Sequence, residues 1–386
     1  MASPLDSEDP YPRFSAAEQD RRRREVLAAM EAAEVTQLVT YGANRFGSAV
    51  QWLTGWPVTR EAVVLVGRDL PDLLFVQFHN HVPNARELAP RCEVRWGGVS
   101  TIDTVVEELE SRGARGRIAV MGTLPATHHM ALTSRFDLVD LNQAYTRMRL
   151  IKSPEEIDWV RAGAELTDRA VDGLRNGARP GVTEHQLADM VEHGYVPVGA
   201  TTLIHYFGVT PMAAPERCVP AQYTSNRALQ AGDVLLTEIS GSFWDYPGQV
   251  LRTFAIATDP TPLYRRLHEV ADAAFDAIVG RLRHGTHATE VVDAASIIEE
   301  EGFTTYDDLV HGFVGGYFPP VLGSRSRSLW PVPDLEFQAG MTVVVQPNVV
   351  TADHRAGVQT GELVLITQSG AERVHGTERG LHRIGD

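Results

Sequence analysis

Apolar and polar positions along this chain change their period several times, and each change marks an element. Ser15-Ala16-Ala17-Glu18 has the Ser-x-x-Glu spacing of a helix N-terminal capping box and predicts a helix running toward Ala33. Apolar runs at 36–41, 62–66, 73–78 and 118–121 predict strands, with helical stretches near 104–110 and 127–134 between some of them. Strands mixed with helices over the first 148 residues imply a small α/β domain.

Beyond Arg147 the pattern changes. Ser153 can cap a helix with Pro154 at its first position, and Glu155 and Glu156 sit in the first turn, where the helix dipole favours negative charge. Ile157, Val160, Ala164, Val171 and Leu174 then follow helical spacing. A domain boundary is therefore placed here, giving domains 1–148 and 149–386. The second domain carries a faint duplication. A helix ending in Ala178-Arg-Pro-Gly-Val-Thr-Glu184 leads into a helix at 185–191, and a helix over 263–282 ends in Arg283-His-Gly-Thr-His-Ala-Thr-Glu290 and leads into 291–300. Two such helix-turn-helix-strand units would cup a sheet between them.

A chain of 386 residues exceeds one ordinary core and implies about two domains. A net charge of −15 argues against nucleic acid or an anionic membrane as partner, because phosphate binding needs clustered Lys and Arg. The basic run Arg21–Arg24 is expected to be a solvated helix face. Cys92 and Cys218 are far apart and lack a metal-like spacing, so two free thiols in a reducing compartment are expected. No apolar stretch long enough for a signal sequence or a membrane span is present, and the expected location is cytoplasmic.

Five segments of the second half carry candidate chemistry: Leu235-Leu-Thr-Glu-Ile-Ser240, Gly248-Gln-Val-Leu-Arg-Thr-Phe254, Val310-His-Gly-Phe-Val-Gly315, Gly340-Met-Thr-Val-Val-Val-Gln-Pro347 and Gly357-Val-Gln-Thr-Gly-Glu362. Their order, spacing and flanks resemble the creatinase/methionine aminopeptidase/aminopeptidase P (prolidase) family, the pita-bread fold. The Lys-Ser-Pro-Glu-Glu-Ile opening at 152–157 resembles the start of that family's catalytic domain. The resemblance implies an α+β protein: an N-terminal creatinase-like α/β domain, then pseudo-twofold αα-β repeats around a curved antiparallel sheet. In the peptidase members the equivalent segments carry Asp, Asp, His, Glu and Glu around two divalent metals. Here those places hold Glu238, Gln249, His311, Gln346 and Gly361.

Two hard cations need several carboxylates, and glutamine and glycine supply no negative charge. The resemblance with these replacements implies an enzyme with no metal and no cofactor, acting like creatinase on a C–N bond of a small molecule. In that reading His311 or His205 shuttles protons and Glu238 anchors or polarises the substrate. Gln249 and Gln346 orient it by donating and accepting hydrogen bonds, with Tyr206 on the substrate wall and Glu362 one place past the last ligand position. The family's usual proton-transferring His has no counterpart here, since its place falls near Ala221. Arg325 is a candidate clamp for a substrate carboxylate. In family dimers, N-terminal loops equivalent to Tyr41–Arg45 and Phe78–His81 reach the partner's site, which makes Arg45 and His81 candidates and a homodimer the expected assembly. Two alternatives stay open: a metal-dependent Xaa-Pro aminopeptidase or prolidase, and a non-catalytic binding protein on a peptidase fold.

Overall fold

The computed structural model of the protein describes residues 3–44, 49–327 and 331–386. Two compact units stand out, Glu8–Arg149 and Leu150–Asp386, the second joined by the segment ending at Ser7.

The first unit is built on a six-stranded sheet: β1 (Gln37–Ala43), β2 (Glu61–Gly67), β3 (Leu70–Val76), β4 (Glu93–Trp96), β5 (Arg117–Met121) and β6 (Asp137–Asp140). The spatial order is β4-β3-β2-β1-β5-β6, with β1–β2 and β2–β3 antiparallel and the other neighbours parallel. Val39, Val63, Phe75 and Val120 pack against Val105 and Leu109 of the helix Thr101–Ser111. The apolar runs therefore mark the central strands. β4 and β6 escape the pattern because they are four-residue edge strands rich in charge.

The helix Ala16–Ala32 begins where the sequence predicts, and Ser15 Oγ accepts from the Glu18 amide. Its basic run is not the solvated face expected. Arg22 is 1 % exposed and donates to Glu18 and to the Trp52 carbonyl, while Arg23 pairs with Asp72 at 2.8 Å. Burial drives each guanidinium to a fixed acceptor.

In the second unit, Ser153 and Glu156 close a reciprocal capping box at the start of the helix Pro154–Gly177. Among the described residues twelve strands follow: β7 (Thr201–Pro211), β8 (Asp233–Phe243), β9 (Tyr246–Pro247), β10 (Val250–Ile256), β11 (Thr304–Thr305), β12 (Val310–Phe313), β13 (Tyr317–Leu322), β14 (Thr342–Val345), β15 (Val349–Val350), β16 (Gly361–Ile366), β17 (Ala371–Arg373) and β18 (His382–Ile384). The main path is β13-β12-β14-β16-β10-β8-β7, and each neighbouring pair along it is antiparallel. Val234, Leu236, Val343, Val345 and Val364 form its core with Leu267, Phe275 and Ile278 of the helix Pro262–Arg281. The expected helix over 291–300 is two short ones, Ala288–Ala294 and Ile297–Glu300.

The duplication is visible in the backbone. Gly181 and Gly285 both have left-handed φ, +93° and +82°. Each donates 2.8 Å to a distant carbonyl, Leu229 and Phe337 respectively. Each turn is followed by a matching bridge, Thr183 with Ala228 and His287 with Glu336. One half supplies β7–β10 and the other β11–β17.

Candidate active site

The two halves bring their functional side chains to one region of the curved sheet. Glu238 lies on β8 and its register partner on β7 is Tyr206, so the two side chains share a face. Gln249 precedes β10 and donates from Nε2 to Glu238 Oε1 at 2.7 Å. From the other half, His311 on β12 donates from Nδ1 to the Gly312 carbonyl at 2.9 Å, which leaves Nε2 as its lone-pair nitrogen. Gln346, just past β14, faces the same imidazole, and Tyr317 covers the ring with centroids 4.6 Å apart.

A carboxylate that the sequence reading missed belongs here too. Asp307 accepts from Asn348 Nδ2 at 3.0 Å and from Gln359 Nε2 at 3.4 Å, and its charge reaches Glu238. Burial, with help from Asp307, raises the Glu238 carboxyl to about 7 against the pull of its Gln249 bond. Burial also pushes the His311 imidazole below its usual value, partly opposed by its bond to Gly312. The centre at neutral pH thus holds a neutral imidazole and a carboxyl that exchanges its proton near neutrality.

Several sequence candidates lie elsewhere. His205 is one residue from Tyr206, so the pleat turns it to the opposite face of β7, where Nδ1 comes within 3.1 Å of Glu192 and the ring stacks on Phe207. Glu362 is fully buried, but it binds Arg252 Nη2 at 2.6 Å and Arg373 rather than facing Glu238. Burial works to raise that carboxyl, and the bond from Arg373 with the charge of Arg252 holds it below the usual carboxylate range. Arg325 is spent on a surface pair with Asp293 at 2.6 Å. His81 belongs to the N-terminal unit, where its Nδ1 lies 2.8 Å from Thr59 Oγ1 and its ring meets Phe78. Arg45 lies outside the described residues.

The positions set by the resemblance do not fit a pair of divalent metals. Only Glu238 and His311 among the five ionise, and Gln249 points its NH₂ at Glu238, where a metal would need an anionic oxygen. Among the described residues no group of three or more His, Cys, Asp or Glu side chains gathers in metal-holding geometry. Gly361 sits too close to its neighbours for any side chain. A Cβ there would press into the Val345 carbonyl and come within 2.8 Å of Gln346 Cα. Gly361→Glu is therefore expected to lower stability by about 1–3 kcal/mol, as overpacking does, rather than to add a ligand. An unchanged melting temperature would show that the strand yields.

Comparison with known proteins places this architecture. The profile of metallopeptidase family M24 matches residues 158–368, and the chain belongs to that family. The Xaa-Pro dipeptidase of Pyrococcus furiosus is 25% identical over 239 residues, 61% of this chain and 65% of that protein. The probable dipeptidase PepE of Mycobacterium tuberculosis is 27% identical over 271 residues, 68% of this chain and 69% of that protein. Among solved structures, an Xaa-Pro dipeptidase from Bacillus anthracis superposes with a TM-score of 0.80 at 19% identity, covering 95% of this chain and all of its own. Dipeptidase PepE from Mycobacterium ulcerans gives 0.79 at 23%, covering 97% and 100%. The fold is thus the pita-bread fold, an α+β architecture with a curled antiparallel sheet. No described helix is long and apolar enough to cross a membrane.

These relatives correct one expectation. The replaced residues suggested a creatinase-like, metal-independent enzyme acting on a small molecule. The named relatives are Xaa-Pro dipeptidases and dipeptidases within a metallopeptidase family, so the chain's kinship is with peptidases.

Proposed function

We propose that this chain is a hydrolase of short peptides, of the dipeptidase kind to which its relatives belong. The observation that supports this most is one of position: the matched segment, residues 158–368, contains every strand and loop that supplies Glu238, Gln249, His311 and Gln346. In this reading a dipeptide lies against Tyr206 and His311, beside the Gln249 and Gln346 side chains. Glu238 takes a proton from the attacking water and returns it to the leaving nitrogen, a task suited to a carboxyl that titrates near 7. His311, neutral and fixed by Gly312, offers Nε2 as an acceptor to the substrate or the water.

The test is to incubate the purified protein with glycylproline, leucylproline and alanylalanine, each with and without added Mn²⁺, and to measure free amino acids by chromatography. Hydrolysis of at least one dipeptide is expected. No release in either condition, for all three, would remove the peptidase reading. A second reading is a peptide-binding protein without turnover. It is supported by Gln249, Gln346 and Gly361, which bind or give way but move no proton. Dipeptide binding with no hydrolysis would favour it.

A further inference from the structure

Three rings meet on one face of the sheet in the second unit. His311 and Phe313 are two residues apart on β12, so their side chains point the same way, and Tyr317 on β13 is the register partner of Phe313. The ladder shifts between His311 and Gly312, where Pro319 and Pro320 are extra on β13, and a bulge re-aims the side chains beside it. The Tyr317 ring stands 4.6 Å from the imidazole, centroid to centroid, with 32° between the planes. Phe313 closes a second side edge-on at 5.6 Å. The imidazole is 3 % exposed and Tyr317 is 57 % exposed. Tyr317 is therefore the outer layer of the three.

An exposed tyrosine ordinarily keeps its freedom to turn, and this one is tied at its far end. Its hydroxyl donates to Asp308 Oδ2, since a phenol keeps its proton at neutral pH. Asp308 Oδ1 accepts from Arg327 Nη1 at 3.0 Å, so the carboxylate is held from both sides. Bonds to an ionised acceptor are the strong ones, and this pair ties together the segment before β12, the start of β13 and the turn Arg325–Arg327. Filling space over an imidazole needs only a ring, which phenylalanine supplies without a hydroxyl to satisfy. The hydroxyl serves to fix the ring. His311 itself has one tether, from Nδ1 to the Gly312 carbonyl, and a single bond leaves an imidazole free to swing out of its plane. A fixed ring against its face removes that freedom.

We propose that Tyr317 is a positioning residue for His311: clipped by Asp308 and Arg327, its ring fixes the plane of the imidazole and shields one face of it from water. The proposal rests on the dipeptidase reading only for the step that His311 serves. The clip and the shield follow from the contacts alone. An imidazole that offers Nε2 as an acceptor works only while its lone pair is aimed, and small misplacements of a reacting group cost large factors in rate. Loosening Tyr317 thus misaims His311 without removing it.

Diethyl pyrocarbonate, which acylates the neutral imidazole nitrogens it can reach, tests this, with labelling at each histidine followed by mass spectrometry of its peptide. His129, exposed in the first unit, serves as the reference, and His268, buried in the same unit as His311, reports any loss of the fold. In the parent, His311 is expected to label much more slowly than His129. Tyr317→Phe and Asp308→Ala both keep a ring beside the imidazole and lose the clip. Each is expected to speed labelling of His311 by about tenfold, the worth of one charge-assisted bond, with His268 unchanged. Tyr317→Ala removes the ring and should speed it further. On a dipeptide that the parent cleaves, Tyr317→Phe should lower kcat and leave KM near the parent value. Faster labelling in the variants, with no dipeptide cleaved by the parent, would uphold the clip and count against the dipeptidase reading. Equal labelling of His311 in the parent and all three variants would overturn the proposal. A raised KM with unchanged kcat would overturn it too, by making Tyr317 a wall for the substrate. So would His268 labelling that rises in step with His311, because Tyr317 would then be part of the general packing.

Discussion

Glu362→Ala is expected to cost the C-terminal unit about 3–5 kcal/mol, because it strands a buried guanidinium. Arg252 is 2 % exposed on β10 and donates to Glu362 Oε2 at 2.6 Å and to the Gly361 carbonyl at 2.8 Å. With the carboxylate gone, Arg252 and Arg373 face each other's charge with no acid between them. The loss should lower the melting temperature by at least about 6 °C in a unit of this size. The double replacement Arg252→Met with Glu362→Leu removes the stranded charge along with its partner and should recover much of the loss. Thermal and urea unfolding of the two variants check this. A single variant as stable as the parent would mean that the triad carries no net burden, and a double variant no better than the single would mean that packing, not charge, decides.

The second large effect is on turnover. If the protein cleaves dipeptides, Glu238→Gln should lower kcat by about 10²–10⁴-fold, the usual span for losing a general base, while the protein stays folded. His311→Ala should act on the same step. The pH dependence has a definite sign. Glu238 acts as the carboxylate, its carboxyl is raised to about 7, and so kcat/KM should rise as pH passes upward through that value. The groups facing it do not reverse this. His311 is held below its usual value by burial and is neutral at pH 7, and burial raises Tyr206 away from the window. Initial rates from pH 5.5 to 8.5 provide the measurement. A rate that falls through 7 would make the protonated form the active one and Glu238 an acid.

Much of the fold was legible because it rests on local rules. Ser153-Pro-Glu-Glu156 announced its helix by capping chemistry alone, and the apolar runs of the central strands needed no partner to be seen. Of the candidate site residues, the structure brings together those that a short motif carried, Glu238 with Gln249 and His311 with Gln346. What the sequence hid was pairing at a distance. Asp307 sits in a polar loop with no period, and only its approach to Gln359 and Asn348 gives it meaning. His205 and Tyr206 are neighbours in sequence, and the pleat sends them to opposite faces. Glu362 reads as a substrate-binding candidate because one of its two arginine partners, Arg252, lies 110 residues away. One signal did exist: Arg252 is a lone charge within the fully buried strand Val250–Ile256, and such a charge requires a buried acid somewhere in the chain.

The two halves of the large sheet meet along a very short seam. β10 and β16 share only two register pairs, Val250 with Glu362 and Leu251 with Gly361. Arg252 of β10 stitches the place where the ladder is missing, donating to both the Gly361 carbonyl and the Glu362 carboxylate of β16. Tyr206, Glu238 and Gln249 come from one side of this seam, and Asp307, His311, Gln346 and Gln359 from the other. A ligand held by both groups therefore spans the seam. It acts as a second stitch, so occupancy of the site and the rigidity of the sheet become one quantity, and a slackened seam would release the ligand without touching any residue that binds it.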